Sequence, residues 1–359
     1  MDKFPFVLIM AGGIGSRFWP ASREHLPKQF LDITGSGQTL LQATYDRFHH
    51  FVPADRIFII THEYYHDQTM EAIPDFNPAN IICEPTRNNT AASVALASFK
   101  LSKLDPDAVC IVAPADHIIL NEGEFQRVIS EAVNHSYTNN TIITLGITPT
   151  RPDTGYGYIE FEKDDTDEIR KVKAFREKPD LENAKQYLRE GNFVWNSGVF
   201  IWRLDNILNS FQAYSPQIFN VLAQGSTVYN TEGETEFIKN QYPLTEKIAV
   251  DYAILEKAEN VFTIPCEIGW SDLGTWSSLY DISSKDENQN VSLTADTYLE
   301  DTKNTLVLSS KEKLVVVKGL DDFIIVDTED CLLIYPKSEE QNIKSLKEAL
   351  NKKGLDAYL

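Results

Sequence analysis

The chain has 359 residues, 42% of them hydrophobic and 24% charged, which is long enough to build a large core and more than one average domain. Its 33 Lys and Arg against 53 Asp and Glu leave a net charge of −20. That acidity repels nucleic acid and anionic lipid head groups and argues against both as partners, while small phosphorylated ligands answer to a local field and stay open.

Short apolar runs at residues 6–10, 56–61, 108–112 and 142–146 predict strands. Amphipathic stretches at 39–50, 88–104 and 124–137 predict the helices between them. Continuous apolar strands separated by helices predict a mostly parallel sheet covered on both faces, with ligands gathering at the C-terminal strand ends. Beyond residue 150 the pattern alternates at 155–161 and 169–175, with an acidic turn at 163–168. It predicts a hairpin inserted over the ligand edge of the sheet. A helical region is expected at about 180–260, and the polar run 283–290 reads as a linker. Short strands follow at 298–300, 305–309, 313–317, 323–327 and 331–335, a spacing suited to a small stacked β unit or β-helix. A last helix is expected from Ser338, with Gln341 completing a capping box, Ile343, Leu346 and Leu350 forming its apolar stripe, and Gly354 ending it. The expected fold is α/β: a Rossmann-like, mostly parallel domain over residues 1–285 and a small β-rich, β-helix-like domain over 286–359.

Cys83, Cys110, Cys266 and Cys331 form no C-x-x-C pair and lie in or beside apolar stretches. They are expected as free thiols in a reducing cytoplasm rather than as disulfides or zinc ligands. The apolar run 6–10 is too short for a signal-peptide core, and none approaches the ~20 residues that span a bilayer.

The strongest local signal follows the first strand: Ala11-Gly-Gly-Ile-Gly-Ser-Arg-Phe-Trp-Pro20, then Leu26-Pro-Lys-Gln-Phe30. Gly12, Gly13 and Gly15 permit a tight turn whose successive N–H groups can cradle an anion. Arg17 and Lys28 add two cations, the combination a polyphosphate needs in a low-dielectric cleft. A plain glycine turn with two solvated cations is the alternative. No Walker loop is present, and a dinucleotide fingerprint from Gly13 fails at Phe18.

Three further segments stand out. Glu84-Pro-Thr-Arg-Asn-Asn-Thr-Ala91 opens a helical pattern, where Asn88 or Asn89 would also serve as an N-cap. Asp116 ends the strand of Ala113-Pro-Ala-Asp-His117, and Asp272 sits among glycines and tryptophans in Gly269-Trp-Ser-Asp-Leu-Gly-Thr-Trp276. His117 reads as a packing residue.

The Gly-Gly-x-Gly-x-Arg-x-x-Pro run followed by Pro27-Lys28 resembles the signature of sugar-nucleotide pyrophosphorylases, and its Phe-Trp-Pro-x-Ser-Arg and Pro-Lys-Gln-Phe details are most similar to the mannose-1-phosphate guanylyltransferases. The resemblance implies that Gly12, Gly13, Gly15, Arg17 and Lys28 hold the nucleoside triphosphate, with Arg17 and Lys28 catalytic. It places Glu84, Asn89 and Thr90 beside the base. The Arg87-Asn88 pair departs from the family pattern and leaves those two roles open. It assigns Asp116 and Asp272 to Mg²⁺, a hard cation that accepts a few carboxylates with phosphate oxygens and water. It matches Thr154-Gly-Tyr-Gly-Tyr-Ile159, Phe175-Arg-Glu-Lys-Pro179 and Trp195-Asn-Ser-Gly-Val-Phe200 to the sugar side, with Gly155, Glu177 and Asn196 on the sugar and Lys178 on its phosphate.

The implied reaction joins mannose 1-phosphate and GTP into GDP-mannose and pyrophosphate. The same fold with another specificity, such as a glucose-1-phosphate thymidylyltransferase, stays open. So does a silent regulatory homologue that binds sugar nucleotides; a nicotinamide-dependent oxidoreductase is disfavoured by the broken fingerprint. The residues after the last motif are too few for the extra isomerase domain of bifunctional relatives, so no isomerase activity is expected. A homo-oligomer, most simply a dimer, is expected.

Overall fold

The structure, a computed structural model, describes residues 4–163, 167–293, 296–309 and 313–359. They form two compact units. The first comprises the chain through Gly12 with Tyr45–Ala115 and Ile119–Trp270. The second comprises Gly13–Thr44, Asp116–Ile118 and Ser271–Leu359, so its limits do not coincide with a cut at residue 285.

The first unit is built on strands β1 (Phe6–Met10), β2 (Ile57–His62), β3 (Ile81–Glu84) and β4 (Val109–Pro114). After the two-residue strand β5 (Ile118–Ile119) come β6 (Ile142–Ile147), β7 (Tyr158–Phe161), β8 (Arg170–Arg176), β9 (Phe193–Arg203) and β10 (Val261–Cys266). Leaving out β5, these form one nine-stranded sheet among the described residues, in the order β3-β2-β1-β4-β9-β6-β10-β8-β7. β3, β2, β1 and β4 run parallel, with Leu8 opposite both Phe58 and Val112. Their residues are buried almost throughout, as a sheet covered on both faces requires. The helix Asn89–Ser102 is buried on every side from Ala91 to Leu101, and its alanines let it lie close against the helices Leu204–Tyr214 and Pro216–Ala223. One core cluster joins these helices to Phe58, Ile60, Val112 and Trp202 of the sheet.

Two expectations change here. The region 180–260 is not continuously helical: the eleven-residue β9 runs through it, antiparallel to both β4 and β6. Asn196-Ser-Gly198 breaks its apolar run, which disguises the strand. Gly198 takes a left-handed φ of 72°, and the register with β6 shifts between Thr144 and Gly146. The alternating pair is the antiparallel pair β7 and β8, but it joins the main sheet, β8 pairing β10 and β7 pairing β9, rather than lying over the ligand edge. Residues 164–166 of the expected acidic turn lie outside the described residues.

The C-terminal part of the second unit follows β11 (Trp270–Ser271) with β12 (Val291–Ser292), β13 (Asp296–Glu300), β14 (Leu306–Leu308), β15 (Leu314–Lys318), β16 (Phe323–Asp327) and β17 (Leu332–Pro336). β12, β14 and β16 pair in parallel, β13 pairs β15 in parallel, and β17 closes antiparallel on β16. Val307, Val317 and Ile325 fill the space with Leu299, Val315 and Leu320. These stacked parallel rungs are the expected β-helix-like arrangement. Leu306, Ile324 and Val326 pack instead with Phe18, Trp19, Leu273, Trp276 and Ile343.

The run 283–290 is a closed turn rather than a loose linker. Asp286 accepts from the backbone N–H of Asn288 and Asn290, and the buried Asn290 side chain bonds the backbone of Thr302 and Thr305. The last helix spans Ile343–Lys352 after a tight turn at Lys337–Asn342 that no side chain caps. The expected Ser338 box is absent; Glu340 of this turn accepts instead from the Ser277 N–H. Ile343 is buried, and Gly354 adopts a left-handed φ of 72° past the helix end. All four cysteines are free, with Cys110 and Cys266 buried. Among the described residues no helix is long and apolar enough to cross a membrane.

Candidate active site

In the second unit, the turn after β1 brings the chain into two short 3₁₀ segments, Ser16–Phe18 and Lys28–Phe30. Gly15 is left-handed, φ 66°, and a Cβ there would stand 2.5 Å from the Lys28 Cβ, so this position excludes any side chain. A Cβ on Gly13 would meet no protein atom within 4 Å. Protein packing therefore does not demand its bareness. Lys28 is buried at 3% exposure. Its ammonium lies 2.8 Å from Asp116 Oδ2 and donates to the backbone carbonyls of Asp272, at 2.8 Å, and Leu273, at 3.0 Å. All three of its donors are thereby used.

Burial pushes the Asp116 carboxyl up, but the Lys28 charge, His117 and the Lys28 hydrogen bond outweigh it and hold the group below its ordinary value. His117 Nε2 stands 3.9 Å from Asp116 Oδ1. Asp272 Oδ1 accepts from the Gly274 N–H at 2.9 Å, and a Cβ on Gly274 would come within 2.8 Å of Asp272 Oδ2. Lys28, Asp116 and Asp272 are thus brought together. Arg17 is exposed, with no side-chain hydrogen bond or ion pair among the described residues.

In the first unit, Glu84 ends β3 and is 6% exposed. The hydroxyls of Ser93 and Tyr242 both donate to its Oε1. A Cβ on Gly12 would lie 3.5 Å from its Oε2. Burial pushes this carboxyl up to about 7, against the two hydroxyl bonds. Asn89 is left-handed, φ 65°, and its side chain accepts from the Thr90 N–H. Thr90 Oγ1 accepts from the Val250 N–H at 2.9 Å. The two residues whose roles were left open have partners within the protein. Asn88 is fully buried and donates to the carbonyls of Tyr242 and Thr245 and to Thr245 Oγ1, and Arg87 donates to the Tyr65 hydroxyl at 2.6 Å.

In the motifs expected on the sugar side, Gly155 is exposed and donates its N–H to Asp153 Oδ1. The closer approach is at Gly157, where a Cβ would stand 3.0 Å from Glu177 Oε2 and 3.9 Å from the Asn196 Cβ. Gly157 also accepts from the Asn196 N–H at 2.9 Å. Lys178 is exposed, has a left-handed φ of 37°, and stands 3.4 Å from Glu177 Oε1. The Asn196 amide donates to Asp251 Oδ1 at 2.9 Å and accepts from the Gly198 N–H at 3.1 Å. Burial raises the Asp251 carboxyl; Asn196 opposes this and Glu177 adds to it.

Sequence reasoning missed Gly157, Tyr242 and Asp251. Gly157 is the second glycine of the Gly-x-Gly pair already singled out, and Asp251 follows the apolar Ile248-Ala-Val250 at the start of a helical turn. Nothing local marks Tyr242.

A nucleotidyl transferase family model matches residues 6–289, and a mannoseP isomerase/GMP-like beta-helix domain model matches residues 299–350. Mannose-1-phosphate guanylyltransferase 2 of Escherichia coli O157:H7 is 36% identical over 100% of this chain and 76% of its own length. The mannose-1-phosphate guanylyltransferase of Salmonella typhimurium strain LT2 is 34% identical over 98% of this chain and 73% of its own. A solved structure from Thermus thermophilus, named as a mannose-1-phosphate geranyltransferase, matches with a TM-score of 0.86 at 28% identity, covering 96% of this chain and 99% of that one.

Proposed function

Because the chain belongs to the mannose-1-phosphate guanylyltransferases of the nucleotidyltransferase family, we propose that it transfers GMP from GTP to mannose 1-phosphate and releases pyrophosphate. A phosphate oxygen of mannose 1-phosphate attacks the α-phosphorus in line. The bond to the α,β-bridging oxygen breaks, and pyrophosphate leaves with that electron pair. The nucleophile is already anionic, so no general base is needed, and the protein's task is positioning and charge stabilisation.

The observation that carries this reading is the buried Lys28 ammonium holding Asp116 and the backbone of Asp272 beside the left-handed Gly15. Gly12, Gly13 and Gly15 take the triphosphate against backbone N–H groups, and the space over Gly13 suits an incoming ligand atom. Arg17, exposed and unpaired among the described residues, swings onto the phosphates. Lys28 keeps Asp116 ionised and lends its charge to the departing pyrophosphate. The Asp116 carboxylate is paired with the Lys28 ammonium, which also holds the backbone carbonyl of Asp272, and the two aspartates supply hard carboxylate oxygens, a donor set that fits Mg²⁺. When bound, Mg²⁺ supplies Lewis-acid stabilisation of phosphate charge.

Glu84, whose Oε2 would stand 3.5 Å from a Cβ on Gly12, and Asn89 are assigned to the base side. On the sugar side Gly155, Glu177 and Asn196 serve the hydroxyls and Lys178 the phosphate. Four free thiols and nucleotide substrates suit the cytoplasm. A homo-oligomer is proposed to form through the outer face of β13 and β15, a reading supported by the exposed Tyr298, which stands beside the exposed Val316, and by Leu314. Val316→Lys should lower the mass seen by light scattering.

The deciding experiment is a pyrophosphate-release panel crossing four nucleoside triphosphates with several sugar 1-phosphates. GTP with mannose 1-phosphate should give the highest kcat/KM. A maximum with dTTP and glucose 1-phosphate overturns the assignment.

A further inference from the structure

Thr90 and Asn196 belong to different motifs, yet the segment 248–251 joins them. The Ala91 N–H donates to the Ile248 carbonyl at 3.1 Å, and the buried Val250 N–H donates to Thr90 Oγ1 at 2.9 Å. One residue on, Asp251 Oδ1 accepts from the Asn196 amide at 2.9 Å. Asp251 opens a single π-helical turn, Asp251–Leu255, whose Ala253, Ile254 and Leu255 are buried, so it cannot drift independently of the segment before it. Thr90 therefore has its hydroxyl oxygen engaged by the protein.

Asn196 is held at both ends. Its oxygen takes the Gly198 N–H and its nitrogen gives one proton to Asp251, which fixes which way the amide faces. One N–H and one lone pair remain on that amide. A donor and an acceptor side by side complement sugar hydroxyls, each of which both gives and takes a hydrogen bond. The Asp251 oxygen can accept whether or not the carboxyl is protonated, so the arrangement survives the upward shift that burial imposes there.

We propose that residues 248–251 form a strut that positions Asn196 for the sugar, with Thr90 and Asp251 as its two side-chain anchors, so that Thr90 is a sugar-side positioning residue rather than a nucleotide ligand. The inference rests on the sugar-side reading of Asn196 given above. Neither anchor touches the reacting atoms; both act through the orientation of one amide. Without Asp251 the Asn196 nitrogen is free to turn. Without the Thr90 oxygen the Val250 N–H is orphaned and the segment carrying Asp251 relaxes.

Steady-state kinetics of the full chain, varying each substrate separately, test this with whichever triphosphate and sugar 1-phosphate the release panel selects. Thr90→Val, which keeps the shape and removes the acceptor, and Asp251→Ala should each raise KM for the sugar 1-phosphate about tenfold. KM for the triphosphate should stay within about twofold. Thr90→Ser and Asp251→Asn retain an acceptor and should restore most of the loss. Preference between mannose 1-phosphate and glucose 1-phosphate should narrow in the two damaged variants. The double variant should be no worse than the poorer single, because both anchors serve one amide.

A Thr90→Val enzyme with a raised KM for the triphosphate, unchanged KM values in both damaged variants, or additive losses in the double variant would each overturn the strut. If Asp251→Ala fails to fold, Thr90→Val and Thr90→Ser decide alone. Failure of the wild-type chain to use mannose 1-phosphate would count against the proposed substrate and leave this test to run on the sugar phosphate it does use.

Discussion

Lys28 in the second unit and Lys178 in the first carry the same charge in opposite settings. Lys28 is buried, every donor is used, and its partners are Asp116 and two backbone carbonyls. Lys178 is more than half exposed and stands 3.4 Å from an equally open Glu177. A buried ammonium with full hydrogen bonding is part of the framework as well as the chemistry, whereas an exposed one is available for binding and contributes little to folding. Identical residue types in two motifs should therefore fail in different ways.

The largest effect is expected at Lys28. Lys28→Met removes the counter-charge of Asp116 and orphans two carbonyls. Breaking such a buried pair costs about 3–5 kcal/mol. Urea denaturation should show that loss together with near-complete loss of turnover. A stable, inactive Lys28→Met would mean the lysine is purely catalytic and would erase half of the contrast.

Asp272→Asn sharpens the same comparison from the other side. Its backbone carbonyl still accepts from Lys28, so the fold should survive, but one hard anionic donor is lost. Turnover should fall by about 10²–10³, or about 3–4 kcal/mol, and EDTA should abolish it in the wild type. Full activity in EDTA would remove the metal from the site.

Glu84 shows what burial does without a counter-charge, since its partners are the hydroxyls of Ser93 and Tyr242. Its carboxyl is raised to about 7 from an unfolded value of 4.5. Between those two values the unfolded chain has lost the proton that the folded chain keeps. Stability from this group therefore falls as pH rises from 4.5 to 7 and is level above. The swing is about 3 kcal/mol at about 1.4 kcal/mol per unit. Glu84→Gln should flatten that part of the stability curve, measured by denaturation at pH 5 and pH 8. An unchanged slope would show that Glu84 is ionised in the folded protein at low pH.

The smallest effect belongs to Lys178. Lys178→Ala should leave the melting temperature unchanged and raise KM for mannose 1-phosphate by about 2 kcal/mol, the scale of one hydrogen bond to a charged group. A drop in stability would show that this lysine, too, belongs to the framework.

Much of this was legible because it is local. The parallel strands β1, β2, β4 and β6 and the helices Leu40–His49, Asn89–Ser102 and Glu122–Thr138 follow runs and periodicities contained in a dozen residues each. The glycine turn, Lys28, Asp116 and Asp272 were legible as residue types and order. The strand β9 was not, because Asn196-Ser-Gly198 interrupts its apolar run, and the region 180–260 reads as helical until neighbours on both sides supply the ladder. Tyr242 and Asp251 were silent because each matters through a partner far away in sequence, Glu84 for the first and Asn196 for the second.

The amino-acid order alone determined the locally patterned strands and helices of the first half, the glycine turn after β1, and the chemical types available to hold phosphate, metal and sugar. Backbone preference and hydrophobic periodicity act over a few residues and need no fold. The tertiary structure decided which charges are buried and which solvated. It tied the Lys28 ammonium to Asp116 and to carbonyls more than two hundred residues away, and it brought the Val250 N–H onto the Thr90 hydroxyl oxygen. Burial and long-range hydrogen bonding depend on which surfaces meet, and that is set by the packing of the whole chain.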